Sequence, residues 1–331
     1  MSNIVVIPFS KNFERNVMFD VHSKSNFDQR LSPYIRLYNI LTTKGYKIAT
    51  FDRFSKDEFN STDIYLSFNH HENVFNRIGK KINNRILIAQ EPLSQVNFLK
   101  ETLQKYSKIL SWNDSIIDNI LIERITAVPI VKIEVPKVAI EKKKLITNIS
   151  INKNSKLNGE LYSERIKAIE LAEEIFDTDF ELYGIGWNRP ITGFEKLKLK
   201  KIKYFKSYKG NTADKFETLR HFKFSLCFEN TRLMKGNISE KIFDCFQCGV
   251  IPLYWGAPDI KDFVPEETFI WRENFKSTED MLLFVKCMTN NEIKSKLDCA
   301  DEFLRSEKMN SFWEQTYVDK IVKAIESIAN L

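Results

Sequence analysis

The chain has 331 residues, of which 43% are hydrophobic and 28% charged, and it carries a formal net charge of +6. So much apolar material excludes an intrinsically disordered chain, and the length favours two domains of ordinary size. The basic balance favours anionic partners without choosing between nucleic acid, a phosphate-bearing substrate and an acidic membrane surface.

The first half alternates short β-rich runs with helical patterns, which is typical of an α/β fold. Strands are predicted at residues 4–7, 47–51, 64–68, 85–89 and 108–111, and helices at 30–43, from about 72, and at about 94–106. One parallel sheet flanked by helices accounts for this order.

Pro129, Pro136 and the charged run 141–144 predict an interdomain connection with its boundary near residue 140. A second α/β series follows. Its strands are predicted at 145–149, 180–183, 222–228 and 250–254, and its helices at 159–176, 212–221 and 238–247.

The C-terminal segment 309–331 has apolar residues at helical spacing and is predicted to form a closing helix. These positions are Phe312, Tyr317, Ile321, Ile325 and Ile328. We therefore predict an N-terminal domain at 1–140, a C-terminal domain at 141–308 and a final helix at 309–331.

Several features predict a cytoplasmic protein. Residues 1–10 lack the basic start and long apolar stretch of a signal peptide, and no window approaches the run of about eighteen apolar residues that spans a membrane. The five cysteines are an odd number without the spacing of a disulfide scaffold. Cys245 and Cys248 form a CxxC motif in a helical pattern with no second ligand pair, so we predict that they pack in a core.

Three motifs predict an anion site. Residues 228–230 read FEN after a predicted strand, 239–241 read SEK at the start of a predicted helix, and 251–256 read IPLYWG. A helix N-terminus with Lys241 offers backbone N–H groups and an ammonium to a diphosphate, and the Glu240 carboxylate can accept hydrogen bonds from a ribose diol. The alternatives are an ordinary first-turn acid and an exposed lysine.

These motifs, in this order, resemble the donor-binding core of the bacterial α-1,3/4-fucosyltransferases, glycosyltransferase family 10, with a dense match over residues 222–275. The resemblance implies a GT-B fold, with two Rossmann-like lobes facing a central cleft and GDP-fucose held by the C-terminal lobe. It also implies inverting transfer of L-fucose, with O3 of a GlcNAc or glucose residue in a bacterial surface glycan as the expected acceptor. The donor-binding residues that it implies are Glu229, Asn230, Asn237, Ser239, Glu240 and Lys241. For Glu229 and Asn230, capping of the loop after the strand is the alternative.

Two departures from the family pattern leave the donor sugar open. The family commonly has Tyr where this chain has Asn237, and the loop after Asn230 is about one residue longer. Another GDP-sugar is therefore the alternative donor. The family also has an Arg, between the lobe boundary and FEN, that binds the diphosphate. Lys206, Lys209 and Arg189 are the candidates for that role here, with plain surface charge as the alternative.

An inverting transferase needs a base that accepts the proton of the attacking hydroxyl. Glu91 follows a predicted strand and resembles the family's strand-then-Glu segment before a proline, so it is the candidate base, with an ordinary loop acid as the alternative. Asp114 is the reserve base and is otherwise a candidate acceptor contact. His70 and His71 follow another strand and are candidate acceptor contacts or bases, with a turn or packing role as the alternative.

We expect no obligatory metal, because no Asp-x-Asp lies near the FEN and SEK motifs, and no cofactor beyond the GDP-sugar substrate. A nucleic-acid-binding protein is the alternative of another class, but the sequence shows no binding module and its phenylalanines lie mostly in apolar runs. The basic balance is compatible with a loose peripheral contact to an anionic membrane leaflet. The sequence predicts no oligomeric state.

Overall fold

The computed structural model describes residues 2–55, 58–90, 100–113, 122–187 and 204–329. The chain divides into two compact units. The first contains Met1–Lys132, Lys235–Asn237 and Met309–Leu331, and the second contains Ile133–Met234 and Ile238–Lys308. The division falls between Lys132 and Ile133, whereas the sequence prediction places it near residue 140.

The first unit is a six-stranded, fully parallel sheet in the order β2-β1-β3-β4-β5-β6. Its strands are β1 (Asn3–Ile7), β2 (Lys47–Thr50), β3 (Ile64–Phe68), β4 (Asn84–Ala89), β5 (Lys108–Ser111) and β6 (Ile122–Arg124). Its helices before the division are α1 (Ser32–Thr43), α2 (Glu72–Arg77) and α3 (Lys100–Leu103). The remainder of the helix predicted at 94–106 overlaps residues outside the described ranges.

Both faces of this sheet are buried, as the apolar runs of its strands require. In β1, Ile4 and Val6 join a core that includes α1, whereas Val5 and Ile7 join the core on the opposite face. Because successive side chains of a strand point to opposite faces of the sheet, β1 contributes to both hydrophobic cores.

The second unit is a five-stranded parallel sheet in the order β11-β10-β9-β7-β8. Its strands are β7 (Lys144–Ile149), β8 (Phe180–Tyr183), β9 (Phe222–Phe228), β10 (Ile251–Trp255) and β11 (Ile270–Trp271). Its helices are α4 (Tyr162–Phe176), α5 (Lys215–Leu219), α6 (Glu240–Gln247), α7 (Ile260–Phe263), α8 (Thr278–Lys286) and α9 (Asn290–Arg305).

The strand order of the second sheet reverses at β7, because β8 lies on one side of β7 and β9 on the other. Ligands of open α/β sheets bind at the carboxyl ends of the strands at such a point. Here the ends are Ile149 of β7 and Phe228 of β9. This topology singles out the FEN motif without reference to any family.

The C-terminal helix α10 (Glu314–Ala329) packs on the first unit, not on the second unit that precedes it in the chain. Tyr317, Ile321, Ile325 and Ile328 are buried in one core with residues of β1 and α1. The predicted helical stripe is therefore confirmed from Tyr317 onward, while Phe312 precedes the helix. No helix in the described ranges combines the length and apolar composition that crossing a bilayer requires.

All three helices predicted in the second unit begin later than predicted because side chains cap their first turns; α6 begins at Glu240 and not at residue 238, after the N-cap Ser239. The Glu160 carboxylate accepts from the backbone N–H groups of Tyr162 and Ser163, so α4 begins at Tyr162 and not at residue 159. Asp214 caps α5 in the same way, which moves its start from the predicted residue 212 to Lys215.

Candidate functional site

The Glu229 carboxylate joins the end of β9 to the start of α6. Glu229 follows β9 directly and is only 2% exposed. Its Oε1 accepts from the backbone N–H of Ser239 at 2.8 Å, and its Oε2 accepts from the Ser239 hydroxyl at 2.7 Å and from the Lys241 ammonium at 3.2 Å. Glu229 is thus an organising residue within the predicted anion site.

Ser239 is the N-cap of α6, and its hydroxyl accepts a hydrogen bond from Lys241 Nζ at 2.8 Å. The Lys241 side chain is 26% exposed. Burial opposes its charged form, but Glu229 and Glu240 outweigh burial and raise the pKa of Lys241. The first turn of α6 therefore holds a permanent ammonium that is still partly open to solvent.

Glu240 lies in the same turn, 3.9 Å from Lys241 Nζ, with its side chain 39% exposed. Burial raises the pKa of Glu240, but Lys241 and Lys215 outweigh burial and hold the pKa below its usual range. Glu240 is thus a partly exposed, ionised hydrogen-bond acceptor beside an ammonium, which fits recognition of a diol next to a diphosphate.

Gly256, the last residue of IPLYWG, is required by close packing on Glu229. A Cβ at this position would lie 2.4 Å from Cγ of Glu229 and 2.5 Å from the hydroxyl of Tyr254. That hydroxyl accepts from the backbone N–H of Ala257 at 3.0 Å, and burial raises the pKa of Tyr254 well above its ordinary value. The turn after β10 thus packs against one side of the Glu229 side chain and restricts its position.

Arg165, on α4, reaches the same place and was missed by the sequence analysis. It is 4% exposed, and its Nη2 donates to the backbone carbonyls of Phe228 at 2.7 Å and Glu229 at 3.1 Å. Burial lowers the pKa of Arg165, and Glu229 opposes this effect. The sequence did contain a sign of this role, because Arg165 lies at helical spacing on the apolar stripe that Leu161, Ala168 and Ala172 form.

The remaining predicted donor residues lie in different surroundings. Asn230 is exposed, and its backbone carbonyl accepts from the N–H of Leu161 at 3.0 Å. Asn237 belongs to the short segment that groups with the first unit.

Lys206 and Lys209 are exposed and lie beside the edge strand β8, where the Lys209 N–H donates to the Leu182 carbonyl. No contact in the described ranges joins either lysine to Glu229 or Lys241. The structure thus shows these two lysines beside β8, and their role toward the diphosphate stays a prediction.

The two histidines of the first unit engage neighbouring groups. The ring nitrogens of His70 lie 2.7 Å from the Tyr106 hydroxyl and 2.6 Å from the Glu72 carboxylate, and burial lowers the pKa of His70. Nε2 of His71 lies 3.1 Å from the Phe68 carbonyl. Both nitrogens of His70 are thus occupied, and His71 holds the end of β3.

Three candidates, Glu91, Asp114 and Arg189, lie outside the described residues. In the described ranges no three His, Cys, Asp or Glu side chains gather as a metal site. Cys245 and Cys248 are each 1% exposed, and burial raises the pKa of both thiols, that of Cys248 to about 12. Cys245 lies 3.3 Å from the sulfur of Cys227, which fits the predicted packing role.

The family comparison points to the second unit. Residues 142–296 match the family model "Glycosyltransferase family 10 (fucosyltransferase) C-term". The chain is 40% identical over 77 residues to alpha-(1,3)-fucosyltransferase FucT of Helicobacter pylori, which is 23% of this chain and 16% of that protein. It is 32% identical over 75 residues to alpha-(1,4)-fucosyltransferase of Arabidopsis thaliana, which is 23% of this chain and 18% of that protein. The matched segments therefore span less than one fifth of the length of these relatives.

The fold comparison covers the whole chain. A crystal structure of an alpha1,3-fucosyltransferase with GDP matches 100% of this chain and 90% of its own, with a TM-score of 0.58 and 17% identity. The crystal structure of TarM matches 88% of this chain and 58% of its own, with a TM-score of 0.53 and 11% identity. At these sequence identities the structural match is evidence for the fold alone. It confirms the predicted GT-B class of two Rossmann-like α/β units.

Proposed function

We propose that this chain, whose residues 142–296 belong to glycosyltransferase family 10, transfers L-fucose from GDP-fucose to a hydroxyl group of a glycan. The observation that carries the proposal is the contact of Glu229 with Ser239 and Lys241. These three residues lie within the segment 142–296 that matches the family model, and they lie near the point where the strand order of the second sheet reverses.

In this proposal the diphosphate binds at the start of α6. Backbone N–H groups and the helix dipole attract the phosphate oxygens, and the Lys241 ammonium supplies a charge that leaving-group chemistry needs. Glu240 accepts hydrogen bonds from the ribose diol. Glu229 acts through Ser239 and Lys241, so its role is positioning and not direct contact with the donor.

Arg165 lies in the interval between the lobe boundary and FEN, where the family pattern has an arginine, but its guanidinium is buried and already donates to the carbonyls of Phe228 and Glu229. Its proposed role is therefore to position the FEN motif. Lys206 and Lys209, exposed beside β8, stay proposed diphosphate contacts. Arg189 stays a prediction outside the described residues.

The transfer step follows from inversion. The acceptor oxygen attacks the anomeric carbon opposite the diphosphate, the bond from that carbon to the diphosphate oxygen breaks, and the acceptor proton passes to a carboxylate. We propose Glu91 as that carboxylate, with Asp114 in reserve. The expected acceptor is O3 of a GlcNAc or glucose residue in a bacterial surface glycan. We propose that the reaction takes place in the cytoplasm, with at most a loose contact to an anionic leaflet.

A second candidate function keeps the GDP donor and changes the sugar, and Asn237 in place of the family's Tyr favours it. A screen of the full chain against GDP-fucose, GDP-mannose and GDP alone, read as released GDP and as glycosylated acceptor, separates the two candidates. We expect transfer with GDP-fucose. Transfer with GDP-mannose only would replace the first candidate by the second.

The roles of the two units are tested by Glu91→Gln and Lys241→Ala, with Lys144→Ala as the control. Lys144 is also paired with a carboxylate, that of Glu181, at the edge of the same sheet. Removing a base lowers the rate by about 10²- to 10⁴-fold, so Glu91→Gln should bind GDP nearly normally and turn over very slowly. Lys241→Ala should weaken GDP binding by about ten- to a hundredfold, from a lost charged contact of roughly 1.5–3 kcal/mol. Normal GDP binding by Lys241→Ala would contradict the donor site, and normal turnover by Glu91→Gln would move the base to Asp114 or to the histidines.

A further inference from the structure

Gln90 directly follows β4 at the carboxyl end of the first sheet, and side chains from both neighbouring strand ends hold its backbone. Its N–H donates to Oδ1 of Asn69, which follows β3, at 3.0 Å. Its carbonyl accepts from the indole N–H of Trp112, which follows β5, at 2.7 Å. Both polar groups of this backbone thus have buried partners, one on each side of the strand.

Two helices of the same unit hold the Gln90 side chain. Its Nε2 donates to the Tyr317 hydroxyl on α10 at 2.8 Å and to the Tyr34 hydroxyl on α1 at 3.3 Å. Both tyrosines are buried in the core that includes residues of β1. Four separate elements of the first unit therefore fix one half-buried glutamine, and the C-terminal helix supplies the shorter of the two bonds to its side chain.

This network is more polar than packing requires. Leu, Met and Phe side chains fill a core without burying hydroxyl and amide groups, whose burial carries a desolvation cost. A buried polar network whose members are bonded to one another holds a single geometry rigidly. Asn69 adds a second sign, because its φ of +64° is a left-handed conformation that is uncommon outside glycine and that clusters at functional sites. The carboxyl end of β4 therefore has the features of a segment that is placed for function.

The residue that follows Gln90 in the chain is Glu91, the carboxylate proposed above as the base. The Gln90 carbonyl belongs to the planar peptide group that links residues 90 and 91, so the bond from Trp112 acts on that peptide group itself. Consecutive Cα atoms lie about 3.8 Å apart. Fixing Gln90 therefore restricts the point from which the chain enters residue 91.

We propose that Gln90 positions the base of the transfer reaction, and that Tyr317 of α10 is the side chain that fixes Gln90 for this task. The inference rests on the proposed function and adds two positioning residues to it. A base works only within hydrogen-bond reach of the proton that it accepts, and a displacement of about 1 Å can lower a rate by about 10²-fold. Loss of the network should therefore lower kcat without changing GDP binding, which the proposed function places in the second unit.

The test removes one polar group at a time and nearly keeps the side-chain volume. Tyr317→Phe deletes the hydroxyl that binds Gln90, and Gln90→Met deletes the amide. The control is Tyr65→Phe. Tyr65 of β3 is also fully buried, but its hydroxyl has no hydrogen-bond partner in the part of the chain that the structure describes. Each variant is assayed with GDP-fucose as the donor and with lactose and N-acetyllactosamine as acceptor probes, and its GDP affinity and unfolding midpoint are measured alongside.

We expect kcat at saturating donor and acceptor to fall about tenfold in Tyr317→Phe and about ten- to a hundredfold in Gln90→Met. GDP affinity should match that of the wild type in all three variants, and Tyr65→Phe should keep the wild-type kcat. A double-mutant cycle with Glu91→Gln shows whether the effect passes through residue 91. Once the carboxylate is gone its placement no longer matters, so adding Tyr317→Phe to Glu91→Gln should lower kcat by less than about twofold.

Each outcome has a separate meaning. If Tyr317→Phe and Gln90→Met keep the kcat of Tyr65→Phe, or if Tyr317→Phe lowers kcat by the same factor with and without Glu91→Gln, the inference is wrong. If GDP affinity falls together with kcat and the unfolding midpoint, the two residues are structural and the inference is also wrong. Normal turnover of Glu91→Gln would place the base elsewhere and overturn the inference, while the donor site of Lys241 stands. If the wild type binds no GDP and transfers fucose to neither probe, the proposed function itself fails and the inference fails with it.

Discussion

The substitution Glu229→Gln tests whether this carboxylate positions the anion site. Gln keeps the volume but has only one acceptor oxygen, so the Ser239 N–H, the Ser239 hydroxyl and Lys241 cannot all keep their partner. Losing a charged hydrogen bond costs about 1.5–3 kcal/mol, and breaking a fully buried pair costs about 3–5 kcal/mol. Because Lys241 is a quarter exposed, we expect a loss of roughly 2–4 kcal/mol in the free energy of unfolding.

The matched control is Glu181→Gln. Glu181 is a buried carboxylate of β8 that accepts from Lys144 at 2.6 Å and from the Tyr183 hydroxyl at 2.7 Å, in the same unit but at the sheet edge. Urea unfolding should show that both variants lose stability. Calorimetry should show about tenfold weaker GDP binding for Glu229→Gln alone, because only there does the Lys241 ammonium lose its anchor. Equal GDP affinity in the two variants would refute the positioning role.

Three further predictions concern the same unit. Chelation with EDTA should leave transfer largely intact, because Lys241 and the start of α6 can supply the positive charge that the diphosphate needs; loss of activity that Mn²⁺ or Mg²⁺ restores would contradict this. Gly256→Ala should weaken GDP binding, because the added Cβ displaces the Glu229 side chain. Gly210→Ala is the control: its Cβ would have nothing within 4 Å, but its φ of +98° should lower stability without changing GDP affinity. Equal GDP affinities of the two variants would show that the site accommodates the Cβ at residue 256. Burial lowers the pKa of Lys143 to about 8, from 10.5, so this lysine contributes more to stability as the pH rises between these values. In urea unfolding, the free energy of unfolding of the wild type relative to that of Lys143→Met should increase by roughly 3 kcal/mol between pH 8 and pH 10.5. A difference between the two proteins that does not change with pH would refute the burial effect.

The sequence by itself determined the class of fold and predicted where an anion site would lie. Apolar runs of strand length alternating with helical patterns require parallel sheets covered on both faces, and both sheets are of this kind. The SEK motif is local, because Ser239 and Lys241 meet within one helical turn. The strands β6 and β11 were missed, because three and two residues are too few to show a period.

Tertiary structure alone decided which distant groups complete the site. Arg165 reaches the carbonyls of Phe228 and Glu229 from a helix more than sixty positions earlier, and Gly256 is needed because it packs on the side chain of Glu229, which follows a neighbouring strand. Residue type and periodicity constrain neighbours along the chain, whereas these contacts form only when the parallel strands bring their carboxyl ends together.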